Sequence, residues 1–316
     1  MKISQRVSVI CIAFNHEKWI EETLESVRLQ DYYSKELIVI DNGSNDGTAE
    51  KIQNWVKKSS GSLQVKVILH EEEQPYCQLF NQALSEVTSE YVVDLSGDDV
   101  LYPEHLSQSI RELKRATFAA FVFSDAYILD NEGEISTFYK RNTAGDLVEE
   151  MELADIYVTL IKRNFICSPT IVFRTAILKK EGGYDGRLVY EDFDIQIRLA
   201  RKYTIIFSDH LGVLKRKHLR SLSSGQYQRY KSIMLPSTLL VCEKIQKMNT
   251  HHSEDDALGI RILYELKHAL WSANFIPAEG LVLLGEEIGL RGLKFSFYKF
   301  WLKQKWDFSW LYVKMT

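Results

Sequence analysis

Over roughly its first 125 residues the chain alternates two kinds of segment, and this alternation restricts the fold more than any other feature. Val7 to Ala13 (VSVICIA), Glu36 to Asp41 (ELIVID), Val65 to Leu69 and Tyr91 to Leu95 are short, nearly continuous apolar runs. Runs of this kind are expected of strands covered on both faces. Between them lie segments with helical spacing. Ile20, Leu24 and Val27 form one stripe, Ile52, Trp55 and Val56 another, and a short helix is expected around Phe80 to Val87. Asn15 stands where it can cap the first helix. Pro103 suits the first turn of a fourth, in which Leu106, Ile110 and Leu113 align. The alternation predicts right-handed crossovers and a parallel α/β sheet with helices on both faces.

After Ala126 the rhythm changes. Tyr127 to Phe138, with Asp130-Asn-Glu-Gly133 in its middle, reads as a hairpin. Leu153 to Asn164 and Glu191 to Lys202 read as helices, and Thr170 to Arg174 as extended chain. From about Tyr227 the pattern is helical throughout. The expected division is therefore a mixed, mostly parallel α/β domain over 1–226 and a helical C-terminal extension over 227–316. Within the first, the regular alternation ends near residue 125 and the mixed pattern runs over 126–226.

With 316 residues, 45% apolar and 26% charged, the chain can fill a sizeable core. A net charge of -4 argues against a nucleic-acid partner. Cys11, Cys77, Cys167 and Cys242 lie far apart without zinc-type spacing, which fits reduced thiols in a cytoplasmic protein. The opening MKISQRVSVICIAFN has too short an apolar segment, and no small-residue cleavage site, for a signal peptide. No apolar run approaches the ~20 residues that span a bilayer.

Ligands of open α/β sheets bind beyond the carboxyl ends of the strands. Three such ends are polar here: Ala13-Phe14-Asn15, Asp41-Asn42-Gly43-Ser44 and Ser96-Gly97-Asp98-Asp99. Alone, DNGSNDG is a turn with side-chain capping chemistry, and two adjacent acids are a solvated turn. In one parallel sheet, however, all three ends open on the same rim. Asp98 and Asp99 offer hard oxygen ligands suited to Mg²⁺ or Mn²⁺ and a phosphate. Gly97 allows close backbone approach. Asp41 or Asn42 can accept from a base N–H. No P-loop and no GxGxxG follows the first strand, so kinase and dehydrogenase readings are disfavoured.

In motif order and spacing, residues 6 to 225 resemble the inverting family-2 glycosyltransferases of GT-A fold. VSVICIAFN is similar to that family's opening strand and ELIVIDNGSNDGT to its nucleotide-binding strand and turn. SEYVVDLSGDDVLYPEHL resembles the strand carrying the DXD-type metal motif. SPTIVFRTAILKKEGGYDGRLVYEDFDIQIRLARKY is similar to the acceptor-side segment. The resemblance implies transfer of a sugar from a nucleotide-diphosphate donor, UDP or dTDP type, to an acceptor hydroxyl with inversion, with a nucleotide-sugar half to about residue 125 and an acceptor half over 126–226. It assigns Ala13, Phe14, Asn15, Asp41, Asn42, Ser44, Asn81, Ser96, Gly97 and Asp98 to the donor. It makes Asp192 the base and places Gly183 and Glu191 on the acceptor or diphosphate side. KRKHLRS, residues 215–221, resembles the late basic-histidine segment of the family. His218 is then a metal ligand beside Asp98 and Asp99 or a diphosphate donor, and Arg216 or Arg220 neutralises phosphate. A glycan or lipid-linked acceptor in bacterial surface polysaccharide synthesis is the implied partner.

The sequence departs from the family pattern at three points. Ile12-Ala13-Phe14-Asn15 stands where Pro-x-Tyr-Asn is frequent, Asn42 replaces the second acid of an Asp pair, and Ser96 replaces the first acid of DXD. These departures keep a catalytically degenerate binding protein open as an alternative. A sugar-nucleotide nucleotidyltransferase is another, although its Gly-rich N-terminal loop is absent around Ala13 to Lys18. Residues 291–316 mix aromatic and basic side chains, six Lys/Arg against one Asp. That composition suits peripheral contact with the inner face of a membrane, or a helix packed on the catalytic domain or a second subunit.

Overall fold

The computed structural model describes residues 5–59, 61, 63–218 and 221–312, the side chains of 222 and 223 excepted. In chain order its elements are β1 (Val7–Ala13), α1 (Ile20–Arg28), β2 (Lys35–Asn42), α2 (Thr48–Lys58), β3 (Gln64–His70), α3 (Tyr76–Glu86) and β4 (Tyr91–Ser96). They continue with β5 (Val100–Leu101), α4 (His105–Arg115), β6 (Ala119–Leu129), β7 (Ile135–Thr137), α5 (Ile156–Lys162), β8 (Val172–Arg174), α6 (Thr175–Lys180), α7 (Asp192–Ala200) and β9 (Thr204–Arg216). The remainder is helical: α8 (Leu235–Met248), α9 (His252–Trp271), α10 (Phe275–Glu287), α11 (Leu293–Gln304) and α12 (Ser309–Tyr312).

The chain divides into two compact units. The first comprises Met1–Leu153, Ile166–Gly186 and Lys202–Lys217 and holds the whole sheet. Strand order is β3-β2-β1-β4-β8-β6-β9-β5, with β7 on β6. The ladders of β1 with β2 and β4, of β2 with β3, and of β6 with β9 are parallel and long. The antiparallel pairings of β8, β5 and β7 are only two or three residues each. All seven residues of β1 are buried, Ser8 included, as the nearly continuous apolar run predicted. Val7, Val9, Cys11 and Ala13 pack with Ile20, Leu24 and Val27 of α1 and with Leu106, Ile110 and Leu113 of α4. Each such aliphatic side chain contributes ~1.5–3 kcal/mol through burial.

The second unit comprises Ala154–Phe165, Arg187–Arg201 and His218–Thr316. The compact units are therefore not separated by one cut near 226, because α5 and α7 group with the C-terminal helices. The cause is polar as well as apolar. The Arg261 guanidinium of α9, 4% exposed, donates from Nε to the Ile161 carbonyl at 2.8 Å and from Nη2 to Asn164 Oδ1 at 2.9 Å. Asp194 of α7 forms ion pairs with Lys244 at 2.6 Å and Arg198 at 2.7 Å. α11 buries Phe295, Tyr298, Trp301 and Leu302, while Leu293, Phe297 and Phe300, at i, i+4 and i+7, stay exposed. No helix among the described residues is long and apolar enough to cross a membrane.

Candidate active site

Parallel pairing brings the three polar turns together in the first unit. Ala13 lies opposite Asp41 and Ile12 opposite Ser96, so β2, β1 and β4 end level. Asn15 does not cap α1, which starts five residues later behind Trp19. It takes a left-handed conformation (φ 56°) and joins the first two turns. Its N–H donates to Ser44 Oγ at 2.9 Å, and its Oδ1 accepts from the Asn45 N–H at 2.8 Å. Ala13 and Phe14 line the same strand end, the first buried and the second half-buried.

Asp41 and Asn42 separate in role. Asp41 is 2% exposed; Oδ2 accepts from the Ser44 N–H at 3.1 Å, but buried Oδ1 has no hydrogen-bond partner among the described residues. An unmet buried acceptor costs ~1–3 kcal/mol, so this atom calls for a donor from a ligand. The Asn42 amide is already taken: Nδ2 donates to the Gln74 carbonyl at 3.0 Å and Oδ1 accepts from the Gln74 N–H at 2.8 Å. Asn42 thus fixes the segment after β3, and one lone pair of its amide oxygen is already engaged there. The Asn81 side chain is likewise occupied, donating to the Tyr184 carbonyl at 2.7 Å and accepting from its N–H at 2.8 Å. Gly183 precedes that contact at φ 66°, and a Cβ there would meet Asn81 Oδ1 at 2.3 Å.

The third turn is pinned from below. Gly97 N–H donates to the Ile12 carbonyl at 2.9 Å, and the Thr23 hydroxyl donates to the Gly97 carbonyl at 3.0 Å. A Cβ on Gly97 would lie 2.7 Å from Ala13 Cβ and 2.8 Å from His16 Nδ1, so only glycine lets the turn pass β1. Ser96 Oγ donates to Asp98 Oδ1, which makes the residue replacing the first DXD acid a brace for the second. Asp98 and Asp99 are 7% and 4% exposed. Burial, then the adjacent Asp98 charge, push the Asp99 carboxyl up to about 8. Two crowded buried carboxylates fit a divalent cation, and His16 offers a nitrogen within 4.8 Å of an Asp98 oxygen. Sequence reasoning missed His16, whose only signal is its place directly after the first strand end.

Arg216 differs from its expected place on a diphosphate. Its N–H donates to Asp99 Oδ1 at 2.9 Å, Nη1 to the Asp98 carbonyl at 2.5 Å and Nη2 to Glu22 at 2.6 Å. It staples β9 to the acidic turn. Asp192 and Glu191 stand half-buried at the start of α7 in the second unit, where Asp192 Oδ1 accepts from the Phe193 N–H at 2.7 Å. His218 opens the 218–316 segment of that unit. Arg220 lies outside the described residues.

Comparison with known proteins gives the arrangement a context. The profile of Glycosyl transferase family 2 matches residues 8–181. An uncharacterized glycosyltransferase of Methanocaldococcus jannaschii is 26% identical over 203 residues, 62% of this chain and 66% of the relative. The poly-beta-1,6-N-acetyl-D-glucosamine synthase of Staphylococcus epidermidis is 24% identical over 61% of this chain and 45% of its own. The chain thus spans about half to two thirds of the length of such relatives. Among solved structures, S. aureus TarS in complex with UDP-GlcNAc superposes with a TM-score of 0.72 at 19% identity, covering 98% of this chain and 92% of that one. A mannosyltransferase from Pyrobaculum calidifontis, in complex with GDP-Man and Mn2+, gives 0.60 at 19% identity over 95% and 84%.

Proposed function

The chain belongs to glycosyl transferase family 2, and from that premise we propose that it moves a sugar from a nucleotide-diphosphate donor, UDP or dTDP type, to an acceptor hydroxyl with inversion. The carrying observation is the pairing, on one sheet edge, of the unmet Asp41 Oδ1 with the crowded acids Asp98 and Asp99. An acceptor at Asp41 suits the imide N–H of uracil or thymine. The acidic turn suits a divalent cation, which would offset the negative charge of a diphosphate. The complexes of TarS with UDP-GlcNAc and of the mannosyltransferase with GDP-Man and Mn2+ support the donor class.

Asp98 and His16 would hold Mg²⁺ or Mn²⁺, with Asp99 supporting them and His218 assigned by its motif position. When bound, the ion stabilises negative charge on the departing diphosphate. Asn15 and Ser44 hold the first two turns together, and Asn42 and Asn81 order the segments around them. Asp192, assigned by its place in the Glu-Asp motif, removes the proton of the attacking hydroxyl. Such a base contributes ~10²–10⁴ in rate. A glycan or lipid-linked acceptor for surface polysaccharide, handled on the cytoplasmic side of a membrane, completes the reading. The exposed Leu293, Phe297 and Phe300 and the net basic 291–316 segment support peripheral lipid contact.

A thermal-shift panel of UDP-, dTDP- and GDP-sugars with and without Mn²⁺ tests it. A true donor at 100 times its dissociation constant adds ~2.7 kcal/mol. No shift with any member would refute the proposal.

A further inference from the structure

Asp94 has no part in the machinery above. It lies in β4 two residues before Ser96, so the two share a face of the strand, ~7 Å apart. Its half-buried carboxylate accepts from the Tyr76 hydroxyl at 2.7 Å, at the start of α3, and from the Tyr184 hydroxyl at 2.9 Å. Both phenols point at one group, and Tyr184 is firmly framed. Its ring stacks on Phe80 at 4.2 Å and 21°, and its main chain is clasped on both sides by the Asn81 amide. A side chain on Gly183 would break that clasp.

Asp94 has no cation partner among the described residues, and its two hydrogen bonds come from neutral groups. An ionised carboxylate has about four acceptor positions, so roughly two are left after the tyrosines. Burial raises its pKa to about 6, in contrast to an ordinary solvated carboxylate. It also stands close to the acidic turn: burial first, and then the charges of Asp94, Asp98 and Asp99 together, push the Cys11 thiol up. Charge decides which part of a donor fits here. A carboxylate repels a diphosphate, and the acceptor that faces a base is on β2, two strand spacings or ~10 Å across the sheet. The sugar ring is the part of the donor that presents several O–H donors.

We propose that Asp94, framed by Tyr76 and Tyr184, is the subsite that accepts hydrogen bonds from hydroxyl groups of the donor's sugar ring and so selects the sugar. This rests on the glycosyltransferase reading. A site built to pair a hydroxyl strongly rejects an analogue lacking it, because its buried acceptor is then left unmet. Asp94 is on this account a specificity residue and takes no proton in the transfer.

The experiment measures dissociation constants of the full chain, with Mn²⁺, for UDP, dTDP and GDP and for UDP-glucose, UDP-galactose, UDP-N-acetylglucosamine, dTDP-glucose and GDP-mannose. In the parent, one sugar nucleotide binds more tightly than its bare nucleotide. In Asp94→Asn that advantage falls about tenfold while bare-nucleotide affinity changes less than about twofold, the size of one lost charged hydrogen bond. Tyr184→Phe keeps the stacked ring and removes one phenol, and it repeats the effect more weakly if Asp94→Asn folds poorly. Equal losses for bare and sugar nucleotide, or an unchanged sugar advantage, overturn the subsite alone. A parent that binds none of the nucleotides overturns the glycosyltransferase reading, and the subsite with it.

Discussion

Replacing Asp98 with Asn removes one of two adjacent buried charges, and its effect on stability has a definite sign. Asp99 titrates at about 8 in the fold, with burial the larger cause and Asp98 the second. Its unfolded value is ~3.9. Because the folded value is the higher, its contribution to stability is complete below pH ~4 and is lost as pH rises through 8. The metal-free protein therefore weakens across that window on account of this group. Asp98→Asn removes the second of those causes and should recover on the order of 1 kcal/mol at pH 8 and nothing at pH 4. That corresponds to a Tm higher by about 2–4 °C at pH 8 only. The assay is thermal unfolding of parent and variant in chelator at both pH values, then with millimolar Mn²⁺. Mn²⁺ should raise the parent at pH 8 and leave the variant unmoved. A variant less stable than the parent at both pH values would refute the repulsion argument. Equal stabilisation of both by Mn²⁺ would refute Asp98 as ligand.

Asp192→Asn should lower kcat by ~10²–10⁴ while donor affinity and Tm stay close to the parent's, and parent-like turnover would remove it as base. Asn42→Ala strands both main-chain groups of Gln74, so it should cost ~1–3 kcal/mol by denaturant unfolding and weaken nucleotide binding. An unchanged midpoint would contradict the bracing role. Leu293→Asp changes a side chain that is 93% exposed, so Tm should hold while co-sedimentation with vesicles containing anionic lipid falls. Retained sedimentation would exclude this face as the lipid contact.

Much of the sheet was legible because burial on both faces leaves an unmistakable trace. VSVICIA and YVVDL are each apolar on both faces but for one residue, Ser8 and Asp94, which a half-exposed strand would not be. The rim was legible for the same reason: parallel strands end on one side, so three polar ends had to converge. What each polar residue does there was not legible. Asn42 and Asp41 are neighbours in sequence with similar chemistry, yet one is engaged by Gln74 and the other keeps an unmet oxygen. Arg216 reads as a phosphate ligand by charge, but its partners Glu22 and Asp98 are distant in sequence.

By itself, then, the sequence determined the α/β class, the polar strand ends that converge on one rim and the acidic turn, since all of these follow from local periodicity and chain direction. Only the tertiary structure decided which partners each of those polar groups meets. It brought His16 beside Asp98, made Ser96 a brace, grouped α5 and α7 with the C-terminal helices through Arg261 and Lys244, and aimed two tyrosines at Asp94. The physical reason is common to all of them. A polar side chain's role is set by which partners desolvate and saturate it, and those partners come from segments that only folding brings into contact.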